Sequence, residues 1–189
     1  MYGQIMGIQM LITLIYYNLK KKYLTIYMSV IQKKDLPYLK DSLNLILSKK
    51  QKVGVTFSCF DLLHSGHILM LEDSKNVCDI LVVGLQTDPT VDRKNKNKPI
   101  LSYEERLTMI KSIKFVDFIV KYTRESELIE ILKLLNPDIR ILGNDYVGKD
   151  FTGKDLNIET YYHDRFVHTY STTTLRQRVH NAESNKLNN

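Results

Sequence analysis

The stretch TFSCFDLLHSGH, residues 56–67, decides how the rest of this chain is read. The apolar run KVGVTF (52–57) leads into it, and HILMLEDSKNV (67–77) leaves it with amphipathic helical spacing. A strand therefore gives way to a helix inside HSGH. His64 and His67, three apart, can share one face of the first turn. Free backbone N–H groups and the positive end of the helix dipole point at the same place, so an anion is expected there. Gly66 removes a side chain that would hold a phosphate away, and the two imidazoles add donors. The chain has no GxxxxGKS/T loop, so this would be a phosphate clamp of another kind. Two other readings stay open at this point. The histidines could simply cap the helix, or they could be half of a metal site for which only Asp61 is near in sequence.

Outward from this junction the elements alternate. LPYLKDSLNLILSKK (36–50) carries Leu36, Leu39, Leu43, Ile46 and Leu47 at helical spacing, and DILVVGL (79–85) reads as a second buried strand. Ser102 opens a helix with Glu105 completing a capping box. VDFIVKY (116–122) is a third strand, and the helix RESELIEILKLL (124–135), which Thr123 can cap, is stopped by Asn136-Pro137. DIRIL (138–142) and IETYYH (158–163) are a fourth and a fifth strand, and Ser171 caps a last helix, TTTLRQRVHNAE. Strands alternating with helices of this length mean βαβ units. The expected fold is a doubly wound α/β domain on a five-stranded parallel Rossmann-like sheet. Ligands in such sheets sit beyond the carboxyl ends of the strands, where the strand order reverses.

With 189 residues, 43% hydrophobic and 25% charged, the chain is long enough for one globular domain, taken as residues 36–182. Residues 183–189 read as a polar tail and 1–35 as an N-terminal extension. The apolar run IMGIQMLITLIYYNL within that extension is about 15 residues, short of the roughly 20 that span a bilayer, and KKK follows rather than precedes it. It reads as a membrane-surface anchor, an extra element, or sequence upstream of a true start at Met28; the last is preferred because periodic sequence begins only there. The net charge of +6 suits polyanionic partners, from nucleic acid to phosphorylated small molecules. Cys59 and Cys78 are the only cysteines and read as reduced thiols, which fits a cytoplasmic location. Arg93, Lys94, Lys96 and Lys98 make TDPTVDRKNKNKP a candidate electrostatic lid, or else a solvated charged loop.

The residues GVTFSCFDLLHSGHILMLEDSKNVCDILVVGLQTDPT, then SYEERLTMIKSIKFVDFIV, RILGNDY and YSTTTLRQRV, in that order, resemble the cytidylyltransferase-like nucleotidyltransferases. The nearest likeness is to glycerol-3-phosphate cytidylyltransferases and their relatives, including heptose-phosphate adenylyltransferases. The resemblance implies transfer of CMP from CTP to a phosphorylated alcohol such as glycerol 3-phosphate, giving a CDP-alcohol and pyrophosphate. The alternatives are an ATP-dependent adenylyltransferase acting on a sugar phosphate, and a non-catalytic binder that keeps the fold. Magnesium would come with the triphosphate, with no metal held by protein ligands. A homodimer and a small-molecule rather than nucleic-acid partner are implied as well.

Residue by residue, the resemblance assigns His64 and His67 to the triphosphate and Lys96 or Lys98 to the lysine-bearing loop. It assigns Phe57, Ser58, Phe60, Asp61, Gly66, Arg106, Gly143, Asp145, Ser171, Thr172 and Thr173 to the nucleotide. Asp88, Tyr146, Arg165 and His168 are left for the second substrate. Three plainer readings stand beside these: Asp88 caps its loop, Arg106 forms a surface salt bridge with Glu104 or Glu105, and Gly143-Asn144 is a turn. The chain departs from the family pattern in four places. Ser58 replaces a turn glycine, Asn144 replaces the first of an acidic pair, and His168 stands where glutamate is common. Phe166 occupies the slot of an arginine, with Arg165 one step back, so that contact is lost unless a one-residue bulge restores it.

Overall fold

The computed structural model describes residues 29–47 and 50–187. In chain order the elements are β1 (Ser29–Ile31), α1 (Leu36–Leu47), β2 (Val53–Ser58), α2 (Ser65–Asn76), β3 (Ile80–Gln86) and α3 (Tyr103–Lys111). They continue with β4 (Phe118–Tyr122), α4 (Glu125–Leu135), β5 (Ile139–Gly143), β6 (Glu159–His163) and α5 (Thr172–Leu187). The sheet has six strands in the order β1-β4-β3-β2-β5-β6, and every neighbouring pair is parallel. β2 and β3 are Val- and Leu-rich because both faces are covered, the expected composition of strands without a wet side.

One strand more is present than the sequence pattern suggests. β1 lies inside the segment assigned to the extension, and three residues are too few to carry a period-two signal. It pairs with β4 from Ser29 opposite Phe118 to Ile31 opposite Val120. Ile31 is 4% exposed, and the Lys33 ammonium lies 3.1 Å from Glu127 and 2.8 Å from Glu130 of α4. The domain therefore begins by residue 29, not 36. Met28 and the apolar run before it lie outside the described residues. At the other end α5 continues through most of the expected tail. No described helix is long and apolar enough to cross a membrane.

The core has two halves. Leu36, Leu39, Leu43, Val53, Val55, Val82, Leu128 and Ile131 pack α1 and α4 onto one face. Leu71, Leu81, Val83, Ile110, Ile119 and Ile141 pack α2 and α3 onto the other. From β2 the chain winds outward through β3 and β4, then returns to place β5 against the opposite edge of β2. The switch point thus lies between β2 and β5, and the loops after their carboxyl ends border a crevice there. At Gly84 a Cβ would fall 2.1 Å from the ring of Phe57, so the missing side chain lets that ring lie across β3.

Truncation tests the boundary. A protein beginning at residue 36 exposes the edge of β4 and loses the buried Ile31, so it should unfold about 2–3 kcal/mol more easily than one beginning at residue 28. Urea denaturation of the two proteins measures this; equal midpoints would return β1 to an accessory role.

Candidate active site

A cleft of about 590 Å³ opens at the switch point. Its walls come from the end of β2, the start of α2, the end of β5 and the start of α5. The chain enters α2 through two residues in the left-handed region, Phe60 at φ 51° and Leu62 at φ 48°. Such conformations cost roughly 1–3 kcal/mol each for non-glycine residues and persist only where the surroundings hold them.

What holds them is a pair of buried charged side chains. Arg106, 1% exposed on α3, donates from Nη1 to the carbonyls of Cys59 and Gln86, each at 2.6 Å, and from Nη2 to that of Thr87 at 2.5 Å. Its Nε donates to Leu101 O at 3.2 Å. The carboxylate of Asp61, 8% exposed, accepts from the backbone N–H of Ile100 and Leu101 at 3.0–3.1 Å and from Arg176 Nη2 at 2.6 Å. Both were assigned to the nucleotide, and the surface ion pair was the plainer reading for Arg106. The geometry corrects all of these. Neither side chain lines the cleft; they tie the ends of β2 and β3 and the loop before α3 to one another and to α5.

The HSGH turn closes on itself. His64 is the N-cap of α2 and its Nδ1 accepts from Gly66 N at 3.1 Å, while His67 Nδ1 accepts from His64 N at 3.4 Å. With Nδ1 accepting, a neutral imidazole carries its proton on Nε2. His64 Nε2 lies 3.3 Å from Thr172 Oγ1, which joins HSGH to the first residue of α5. The two rings stack at 3.9 Å, and Phe60 packs on His67 at 5.3 Å. Burial, then the neighbouring His64 and Arg165, push His67 down to about 3; burial, His168 and Arg165 also hold His64 below the ordinary value. Both rings are thus neutral at pH 7, and capping and the presentation of donors are one arrangement.

Gly66 serves more than a ligand. A Cβ there would come within 2.9 Å of His168 Cε1 and of Tyr170 O, so the glycine lets the segment before α5 lie against α2. In that segment Ser171 accepts from Thr174 N at 3.1 Å and caps α5, while Thr172 and Thr173 face the cleft. Asp164 caps a short turn over Arg165–Val167. That turn leaves Phe166 89% exposed and sets Arg165 on the cleft wall, its Nη1 3.0 Å from Asp145 Oδ1. Arg165 thus borders the cleft despite standing one step back in sequence.

Phe57, Ser58, Lys96, Gly143, Tyr146 and His168 also line the cleft. Phe60 is 1% exposed in the core and reaches the cleft only through its contact with His67. Asp88 accepts from Thr90 N and Oγ1 at 2.9 and 2.7 Å, which is the capping role. Lys98 does not line the cleft and lies near Asp88, so of the two lysines Lys96 faces inward. Sequence reading missed His163, Gln86, Glu125 and Arg140, all on the cleft wall. A signal existed for two of them: polar residues at the buried end of a strand (His163) and inside an apolar one (Arg140). Among the described residues no group of three His, Cys, Asp or Glu is placed to hold a metal ion.

Residues 55–178 match the family model described as cytidylyltransferase-like. The chain belongs to this family. It is a nucleotidyltransferase, and the matched residues include HSGH and the start of α5, which border the strand-end cleft. The bifunctional protein HldE of Campylobacter concisus (strain 13826) is 37% identical over 147 residues, covering 76% of this chain and 31% of that protein. The HldE protein of Helicobacter pylori (strain HPAG1) is 36% identical over 131 residues, covering 69% of this chain and 28% of its own. This nucleotidyltransferase chain thus spans about a third of the curated relatives it matches. Among solved structures, pantothenate synthetase from Thermus thermophilus overlays with a TM-score of 0.50 at 12% identity, covering 72% of this chain and 61% of that one, a likeness of fold.

Two outcomes follow from the geometry. Arg106→Met leaves buried carbonyls of Cys59, Gln86 and Thr87 without donors and should cost about 3–5 kcal/mol of stability. Chemical denaturation measures it, and a variant of unchanged stability that no longer binds nucleotide would restore Arg106 to the site. For His67 the folded state favours the neutral ring, so its contribution is full above about pH 6.5 and is lost as pH falls towards 3. Asn can keep the cap without titrating. The drop in unfolding free energy between pH 7 and pH 4.5 should therefore be smaller in His67→Asn than in the unmodified protein; equal drops would mean that His67 is not held neutral.

Proposed function

We propose that the protein is an adenylyltransferase that moves AMP from ATP to the phosphate of a sugar phosphate, giving an ADP-sugar and pyrophosphate. Similarity to the bifunctional HldE proteins supports ATP over CTP, and so replaces the CDP-alcohol reading that the motifs alone favour. The observation that carries the reading is the 3.3 Å contact of His64 Nε2 with Thr172 Oγ1. It brings two helix starts and two neutral imidazoles to one point beyond β2, an arrangement suited to a polyphosphate.

In this mechanism an oxygen of the sugar phosphate attacks the α-phosphorus of ATP. The bond from that phosphorus to the oxygen bridging to the β-phosphate breaks, and pyrophosphate leaves with the electron pair. The attacking phosphomonoester is mostly a dianion at pH 7, its second pKa being about 6, so no general base is required. What the protein supplies is position and charge stabilisation. The Nε2–H groups of His64 and His67 would meet the α-phosphate oxygens, the first turn of α5 the leaving pyrophosphate, and Lys96 and Arg165 the added negative charge. Magnesium belongs to this reading as the companion of the triphosphate, which it would bring into the cleft. The displaced arginine was the ground for a non-catalytic binder, and Arg165 stands on the cleft wall.

The test is pyrophosphate release with magnesium, offering ATP or CTP against sugar 1-phosphates and glycerol 3-phosphate. Release with ATP and a sugar phosphate, falling about 100- to 1,000-fold in kcat for His64→Ala, is the expected result. Release with CTP and glycerol 3-phosphate alone would return the reaction to the cytidylyl reading.

A further inference from the structure

The part of the cleft wall formed by Phe57, Arg93, Glu125, Leu128, Arg140 and Phe151, its inner lobe, holds none of the residues given above to the triphosphate. Its most unusual member is Arg140, the second residue of β5 and 3% exposed. The guanidinium lies between two aromatic rings, 5.5 Å from the centre of Phe57 and 5.1 Å from that of Phe151. Its Nη1 donates to the carbonyl of Thr152, and its Nε is buried without a partner. The loop that covers it is admitted by Gly153, at φ 79°, where a Cβ would fall 3.0 Å from Nη1.

Among the described residues no carboxylate pairs with this cation. The carboxylate that acts on it, Glu125, is engaged elsewhere. Its Oε1 lies 3.3 Å from Arg93 Nη2 and its Oε2 accepts from Thr152 Oγ1 at 2.6 Å. Burial pulls the Arg140 guanidinium below its ordinary value, and Glu125 only partly opposes this. A buried charge with no carboxylate partner and an idle Nε is costly unless a partner arrives. Arg93, on the same wall, also holds a buried Nε without a partner. The fold therefore keeps two positive side chains and an aromatic surface facing a concavity, with fewer acceptors than donors. That is the requirement of an anionic, partly apolar ligand.

We propose that the inner lobe is the acceptor subsite and that Arg140 receives an anionic oxygen group of the acceptor. This deepens the adenylyltransferase reading and rests on it for the word acceptor. The anionic group is either the reacting phosphate or a second acidic substituent on the sugar, and both present the same oxygens to the guanidinium.

The probe is inorganic phosphate, titrated calorimetrically into the protein saturated with α,β-methylene-ATP, which occupies the outer cleft. Phosphate should still bind, and Arg140→Leu should weaken it about tenfold to hundredfold while the analogue binds as before. Arg140→Lys, which keeps the charge, should recover part of the affinity, and melting temperatures show whether either variant is folded. If Arg140→Leu does not fold, the lysine variant still decides: weaker phosphate with unchanged analogue affinity supports the subsite. In turnover, KM for a hexose 1-phosphate and for a hexuronic acid 1-phosphate separates the two sources. A rise for both marks the reacting phosphate; a rise for the uronate alone marks a second acid. Phosphate that fails to bind beside the analogue, or binds equally to both variants and the unmodified protein, overturns the proposal. Should the analogue itself not bind while phosphate binds in an Arg140-dependent way, the nucleotide reading fails and the anion subsite stands.

Discussion

Everything at the strand ends depends on one buried guanidinium. Arg106 reaches from α3 to the carbonyls that terminate β2 and β3, groups that have no further strand partner at the point where the chain turns away. Unpaired buried carbonyls are expensive, and a planar donor with five N–H groups can satisfy several at once. Asp61 does the complementary work, accepting from backbone N–H groups of the loop before α3 and from Arg176 of α5. Together they hold Phe60 and Leu62 in the left-handed region, and so fix where α2 begins. The HSGH turn is thereby presented at the crevice, not merely encoded there.

The same frame explains why capping and ligand binding are not rival readings of the two histidines. Each Nδ1 takes a backbone N–H that the helix start leaves over, which directs each Nε2–H away from the backbone. Burial keeps the rings uncharged, so they offer donors of fixed direction. Against a polyphosphate, donors already in place avoid the reorganisation that water would require. The positive charge comes from other side chains, Arg165 and Lys96 at the mouth and Arg93 and Arg140 within.

Much of this was legible in the sequence, because the signals are local. The strand–helix beat gave the parallel doubly wound sheet. Ser102 with Glu105 marked the start of α3, and HSGH and STTT marked the two helix starts that meet. β1 was not legible, since three residues show no alternation and only its pairing with β4 reveals it. Arg106 and Asp61 were found as important residues but given the wrong work: a motif position says that a residue type is needed, not whether it faces ligand or backbone. Arg165 is set on the cleft wall by a short turn that Asp164 caps, a tertiary detail that spacing does not carry. Arg140 went unread although it left a signal, the one charge within Ile139–Gly143, a strand otherwise apolar as burial on both faces demands.

On this geometry the fold presents two neutral, Nε2-protonated imidazoles at the switch point before any ligand arrives. Long-range proton–nitrogen NMR of the histidine side chains at pH 7 tests it directly, with His64→Gln and His67→Gln supplying the assignments. Both rings in the free protein should show the Nε2–H tautomer and keep it when ATP is added. Imidazolium signals, or Nδ1–H tautomers that change only on binding, would contradict it.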